Sequence, residues 1–166
     1  MTTPLPMPSI QETIEFIKIA HADQKDDAGE PYFNHPMRVM NRLPADADLE
    51  VKLAALLHDI LEDTHYTRAD LSAMGYTKRT LDAVQWVTKV PDDKPKSTDP
   101  EIYYREYHAS IQRIINSGNR DAIMIKEADM SENADETRLE KVEPVRRAHF
   151  ERKYTKPLQA LRAALA

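Results

Sequence analysis

The sequence contains no cysteine. Disulfides, thiolate metal sites and cysteine nucleophiles are therefore excluded. Glycine is nearly as scarce, at 3 of 166 residues, against a usual share of about 7%. Hairpin turns draw heavily on glycine, so the composition argues against an all-β fold. No apolar run approaches the roughly 20 residues that span a bilayer, so no membrane contact is expected. The opening MTTPLPMPSI lacks the basic and apolar stretches of a secretory signal, which points to a cytoplasmic protein. No basic block stands out either. Lys+Arg total 23 and Asp+Glu 28, a net charge of −5. Nucleic-acid binding rests on neutralising many phosphates, so it is not expected.

What is present suits one domain over residues 1–166. Hydrophobic residues make up 41% and charged residues 31%, enough for a core and a solvated surface. Helical signals run from end to end. Ser9-Ile-Gln-Glu12 reads as a capping box, followed by Ile10, Ile14, Ile17 and His21 on one face. Asn34 is placed to cap a second helix with Pro36 in its first turn. A third is expected from about Asp48 to Asp63. A short one from Thr67 to Ala73 closes at Gly75, and Thr77 opens the next, with Leu81, Val84 and Val87 inward. Residues 91–100 (PDDKPKSTDP), with three prolines, read as a loop. Beyond it Tyr103, Tyr107, Ile111 and Ile114 share a helical face. Asp121 is expected to cap a helix through IMIKEAD, and the C-terminal region holds one or two more helices. The fold class expected is all-α.

The chemistry concentrates in Ala54-Ala-Leu-Leu-His-Asp-Ile-Leu-Glu-Asp63. Its apolar residues cover most of a helix circumference, as in a central, buried helix. Four ionisable side chains nevertheless sit in it. On a continuous helix His58 and Glu62, and Asp59 and Asp63, fall at i, i+4 on adjacent strips. Burying uncompensated charge costs several kcal/mol per group, a large part of a stability of about 5–15 kcal/mol. A bound cation is the simplest compensation. His35, at the start of a helix, and Asp129, inside the core-like IMIKEADMSEN, supply further donors. His, His, Asp and Asp form a mixed nitrogen and oxygen set suited to Mn²⁺, Fe²⁺ or Zn²⁺.

The segments HP at 35–36, HDxxED at 58–63 and ADxxxN at 128–133 resemble the HD phosphohydrolase superfamily. More narrowly, they resemble the hydrolase domain of RelA/SpoT-type alarmone enzymes and small alarmone hydrolases. The likeness is strongest over residues 21–133, where GEPYFNHP precedes the HD motif and VTK follows it. It implies a compact bundle of about eight to ten helices. It also implies that His35, His58, Asp59 and Asp129 hold one Mn²⁺, while Glu62 and Asp63 position and activate water. Asn133 matches a residue beside the nucleotide sugar and phosphate. The implied activity removes the 3′-pyrophosphate from (p)ppGpp or (p)ppApp, a small nucleotide substrate.

The departures from the pattern concern the nucleotide. Where the family has an Arg-Lys pair after Gln24-Lys25, this chain has Asp26 and Asp27. Lys25, Asp26 and Asp27 are expected near the substrate, and two anions replace two cations there. Recognition of the guanine edge cannot follow the family's pattern, so adenine becomes an alternative. The Arg after the metal Asp and the Thr after the Asn are also missing. His21 reads as a packing or supporting residue, and His65, His108 and His149 as surface residues. Arg146, Arg147, Arg152 and Lys153 with Tyr154 read as a solvated face, with cover for a polyphosphate as the rival reading. Two other functions compete with the alarmone hydrolase. One is another HD-type nucleotide phosphohydrolase, a nucleotidase or dNTPase. The other is a non-catalytic alarmone-binding protein.

Overall fold

The computed structural model describes residues 3–26, 28–135 and 143–166. Asp27, one of the expected substrate contacts, lies outside them. Among the described residues the protein is all-α, with no strand beyond an isolated bridge between Lys25 and Pro31. The chain packs as two compact units, Met1–Thr88 and Lys89–Ala166.

The first unit is built around α3. Its helices are α1 (Ile10–Ala20), α2 (Asn34–Arg42), α3 (Leu49–Leu57), α4 (Ile60–Asp63), α5 (Arg68–Ala73) and α6 (Lys78–Val87). Helix α3 buries Val51 and every residue from Leu53 to Leu57, and it packs against α1, α2 and α6. Each buried Leu there contributes about 1.5–3 kcal/mol. The predicted starts hold where a hydroxyl can reach back to the helix. Ser9 opens α1 with a complete capping box, and Thr67 does the same for α5. Thr77 caps α6 by accepting from the Thr80 amide. Asn34 differs: it is the first residue of α2, Phe33 is the N-cap, and no side chain caps that end.

Polar bonds set α3 against its neighbours. The Thr80 hydroxyl donates to the Glu50 carbonyl at 2.9 Å, and Arg79 pairs with Asp48 at 2.8 Å. The hydroxyls of Thr13 and Tyr76, both buried, bond at 2.7 Å.

Among the described residues the second unit is an assembly of α7 (Pro100–Asn116), α8 (Arg120–Asn133) and α9 (Pro144–Leu165), in which α9 packs on both α7 and α8. The 91–100 loop begins with a 3₁₀ turn at Pro91–Asp93, tied to α7 by the Arg113–Asp93 ion pair at 2.7 Å. Asp99 caps α7 by accepting from the Glu101 and Ile102 amides. Helix α8 starts earlier than expected. Asn119, not Asp121, accepts from the Ala122 amide and caps it. Helix α8 is buried on most sides, including Ala122, Ile123, Ile125, Ala128 and Met130. The C-terminal region is one continuous helix with Pro157 inside it. No helix among the described residues is long and apolar enough to cross a membrane.

Candidate active site

In the first unit, α2 carries His35 in its first turn, and the junction of α3 and α4 carries His58 and Asp59. The single helix expected from Asp48 to Asp63 is interrupted at that junction. The Ala55 carbonyl accepts both the His58 amide at 3.4 Å and His58 Nδ1 at 2.7 Å, which tightens the turn. Asp59 stands at φ −102° and ψ −1°, away from ideal helical angles. Its carbonyl nevertheless accepts the Asp63 amide at 2.9 Å, so the turn that carries Glu62 and Asp63 follows directly on the HD pair. Glu62 is half-buried and Asp63 is exposed.

The bond to Ala55 decides the chemistry of His58. A carbonyl only accepts, so Nδ1 carries a proton, and the bond turns Nε2 toward Asp59. His58 is 3% exposed. Its Nε2 lies 2.9 Å from Asp59 Oδ2, outside hydrogen-bond geometry. A buried imidazole nitrogen and a half-buried carboxylate oxygen this close form a mixed nitrogen and oxygen pair, which fits a metal ion. The Tyr32 hydroxyl donates to the same Asp59 oxygen and orients it. The His35 and His58 rings meet edge to face, with centroids 5.3 Å apart, and His35 is buried as well.

His21 supports this cluster. The Gln24 amide nitrogen donates to the Asp63 carbonyl at 2.9 Å, so its oxygen is left to accept from His21 Nδ1, also at 2.9 Å. Burial holds His21 below the usual histidine range, and its ring packs edge-on against Tyr32. It stands as a neutral supporting residue. Gln24 and Tyr32 do not stand out in the sequence as site residues, although Gln24 precedes the GEPY turn and Tyr32 ends it.

In the second unit Asp129 is 7% exposed on α8. Its two oxygens are held separately. Lys126 Nζ reaches Oδ2 at 3.1 Å, and Asn133 Nδ2 donates to Oδ1 at 3.4 Å. Asn133, expected beside the nucleotide, thus also steadies a carboxylate one turn away. Lys126 is a buried site residue that sequence reasoning missed. Its signal was a lysine inside the apolar run IMIK. His35 and His58 in the first unit and Asp129 in the second are all buried, and each is a residue type that ligates metals.

The expected substrate contacts at 25–27 divide. Lys25 is exposed and joins the isolated bridge to Pro31. Asp26 is engaged in the turn itself. Its Oδ1 accepts from the Ala28 and Glu30 amides, each at 2.9 Å, and its Oδ2 lies 3.8 Å from Arg38. Asp26 therefore organises the loop before Tyr32, a role the sequence reading did not assign to it.

No protein-family model matches the chain. Over 130 residues it is 33% identical to a probable guanosine-3′,5′-bis(diphosphate) 3′-pyrophosphohydrolase of Mycoplasma pneumoniae, covering 75% of this chain and 17% of that protein. Over 89 residues it is 43% identical to guanosine-3′,5′-bis(diphosphate) 3′-pyrophosphohydrolase MESH1 of Danio rerio, covering 50% of this chain and 47% of that one. The chain thus spans less than half the length of these curated relatives. A solved structure described as a metazoan ortholog of SpoT that hydrolyzes ppGpp superposes with a TM-score of 0.66 and 26% identity. That match covers 97% of this chain and 94% of the other. From the HD motif with its buried donors, the helical fold and these likenesses, it follows that the chain carries an HD-type hydrolase domain of the RelA/SpoT kind.

Proposed function

We propose that the chain is a metal-dependent hydrolase that removes the 3′-pyrophosphate from an alarmone nucleotide, (p)ppGpp or (p)ppApp. The observation that carries this reading is the convergence of the buried His58 Nε2 on the half-buried Asp59 Oδ2 at 2.9 Å in the HD dipeptide. The relatives named as 3′-pyrophosphohydrolases supply the reaction type. In this reading His35, His58, Asp59 and Asp129 hold one divalent ion, with Mn²⁺ preferred over Fe²⁺ or Zn²⁺, and residues 1–166 act as one catalytic domain in the cytoplasm. A bound divalent ion supplies Lewis-acid polarisation of a phosphoryl oxygen and acidifies water.

The chain's own residues do the rest. Tyr32 and the Ala55 carbonyl fix the orientation of Asp59 and His58 before substrate arrives. Glu62, half-buried one turn beyond the donors, takes the proton from the attacking water, and Asp63 orients that water. Asn133 and Lys25 contact the nucleotide. Asp26, which shapes the adjoining loop, and Asp27 are assigned to recognition of the base.

The test is a nucleotide panel. Purified protein is incubated with ppGpp, ppApp, a dNTP and a nucleoside monophosphate, with Mn²⁺ and after chelation. Metal-dependent release of pyrophosphate from a 3′-diphosphate is expected. Release of orthophosphate from the monophosphate, or of triphosphate from the dNTP, would move the chain to another HD-type activity. No turnover with tight nucleotide binding would make it a binding protein.

A further inference from the structure

The C-terminal run RRAHFERKY reads from sequence as one solvated basic face, but α9 sorts it into two. Arg152 turns outward. It is half-exposed, pairs with Glu101 and stacks over the Tyr104 ring at 4.4 Å from its centroid. Arg146 stacks over Phe150 and is exposed. Lys153 turns inward. Its Nζ lies 4.7 Å from the Tyr107 centroid, 5.4 Å from that of Tyr154 and 5.8 Å from that of Tyr103. Tyr107 and Tyr154 are buried. Among the described residues no carboxylate lies within ion-pair distance of Lys153.

A second ammonium group, Lys126, is buried on α8 and reaches Asp129 at 3.1 Å. Lys89 approaches the same Tyr107 ring, at 5.4 Å from the centroid. One unit thus gathers several ammonium groups around a tyrosine-lined place in a protein of net charge −5. Burial, and behind it the charge of Lys126, lowers the Lys153 ammonium from its usual range. Ring faces offset part of that cost, since each such contact contributes about 0.5–2 kcal/mol. A polyanion offsets more.

We propose that Lys153, over the rings of Tyr103, Tyr107 and Tyr154, and Lys126, on Asp129, form a subsite that binds a diphosphate group beside Asp129. A diphosphate suits it better than a single carboxylate, because oxygens on two phosphorus atoms can serve two separate ammonium groups at once. The inference rests on the hydrolase reading only for the origin of the diphosphate. It makes Lys153 a residue that positions the leaving pyrophosphate.

The probe is inorganic pyrophosphate, titrated calorimetrically into the full chain in its metal state as isolated. Lys153→Met is expected to weaken binding by about tenfold or more, since a charge-assisted bond is lost. Lys153→Arg should recover most of it. Arg152→Met, which alters only the outward face, should bind as wild type does. Thermal melts of each variant check folding. Binding by Lys153→Met equal to wild type, or no binding by wild type, overturns the subsite. Pyrophosphate release from ppGpp is assayed in parallel. If Lys153→Met loses binding while no protein hydrolyses ppGpp, the subsite stands and the hydrolase reading falls. If wild type hydrolyses ppGpp while Lys153→Met binds pyrophosphate undiminished, the hydrolase reading stands and the subsite falls.

Discussion

One hydrogen bond sets the orientation of the His58 ring. By accepting from Nδ1, the Ala55 carbonyl turns Nε2 toward the half-buried Asp59. Asp129 is similarly prepared, with one oxygen on Lys126 and the other on Asn133. These residues carry the sharpest tests. Asp129→Ala should lose bound metal and melt at a lower temperature, because the remaining donors lose both an ion and its compensation. Elemental analysis beside a thermal melt reads both, and an unchanged metal content removes Asp129 from the ligand set. Glu62→Gln keeps the volume but cannot accept a proton. It should fold, keep its metal and lose about 10²–10⁴-fold in turnover. Activity within a few-fold of wild type would shift the base role to Asp63.

At the scale of the element, helix ends decide more than helix interiors. The α3–α4 break places the HD pair at a junction, where backbone carbonyls are available to imidazole. Gly75 ends the segment that carries α5, at φ +103°, and a Cβ there would meet the Pro6 carbonyl oxygen at 2.6 Å. Gly118 also has a positive φ, +70°, but a Cβ there meets nothing within 4 Å. Alanine at either site incurs the left-handed strain of roughly 1–2 kcal/mol. Gly75→Ala must in addition shift backbone. Urea denaturation should therefore show Gly75→Ala clearly less stable than Gly118→Ala. Equal losses would mean that the Pro6 segment moves aside freely.

Over the whole molecule, the protein should be sensitive to alkali. Burial pushes Tyr107 up to about 12, with the Lys126 charge opposing it, and burial raises Tyr154 as well. Both hydroxyls are neutral in folded and unfolded chains below about pH 10. Above that, the unfolded chain ionises first, so stability falls as pH rises from about 10 to 12. For Tyr107 the loss amounts to about 2–3 kcal/mol across that window. Urea midpoints of wild type and Tyr107→Phe at pH 9 and pH 11.5 measure it. The Phe variant should lose less between the two values, and parallel losses would show that Tyr107 is not the group responsible.

Much of this is legible in the amino-acid order itself. Scarce glycine and recurrent 3.6-residue periodicity make the chain helical. Short-range chemistry then places the starts of α1, α5 and α6, because Ser9, Thr67 and Thr77 reach amides only three residues away. The HD dipeptide in an apolar run marks buried donors, because such charges need compensation wherever the chain folds. Packing made the remaining assignments. It broke the helix at His58, chose Asn119 over Asp121 as a cap, and used Asp26 to close a turn. It also separated Lys153 from its basic neighbours. Local propensity weighs a side chain against a few adjacent residues, whereas these outcomes depend on which distant groups share its surroundings. Lys153 looks like any surface lysine in sequence. Tyr103 and Tyr107 come from a helix 46 to 50 positions before it, and only the folded unit brings them together.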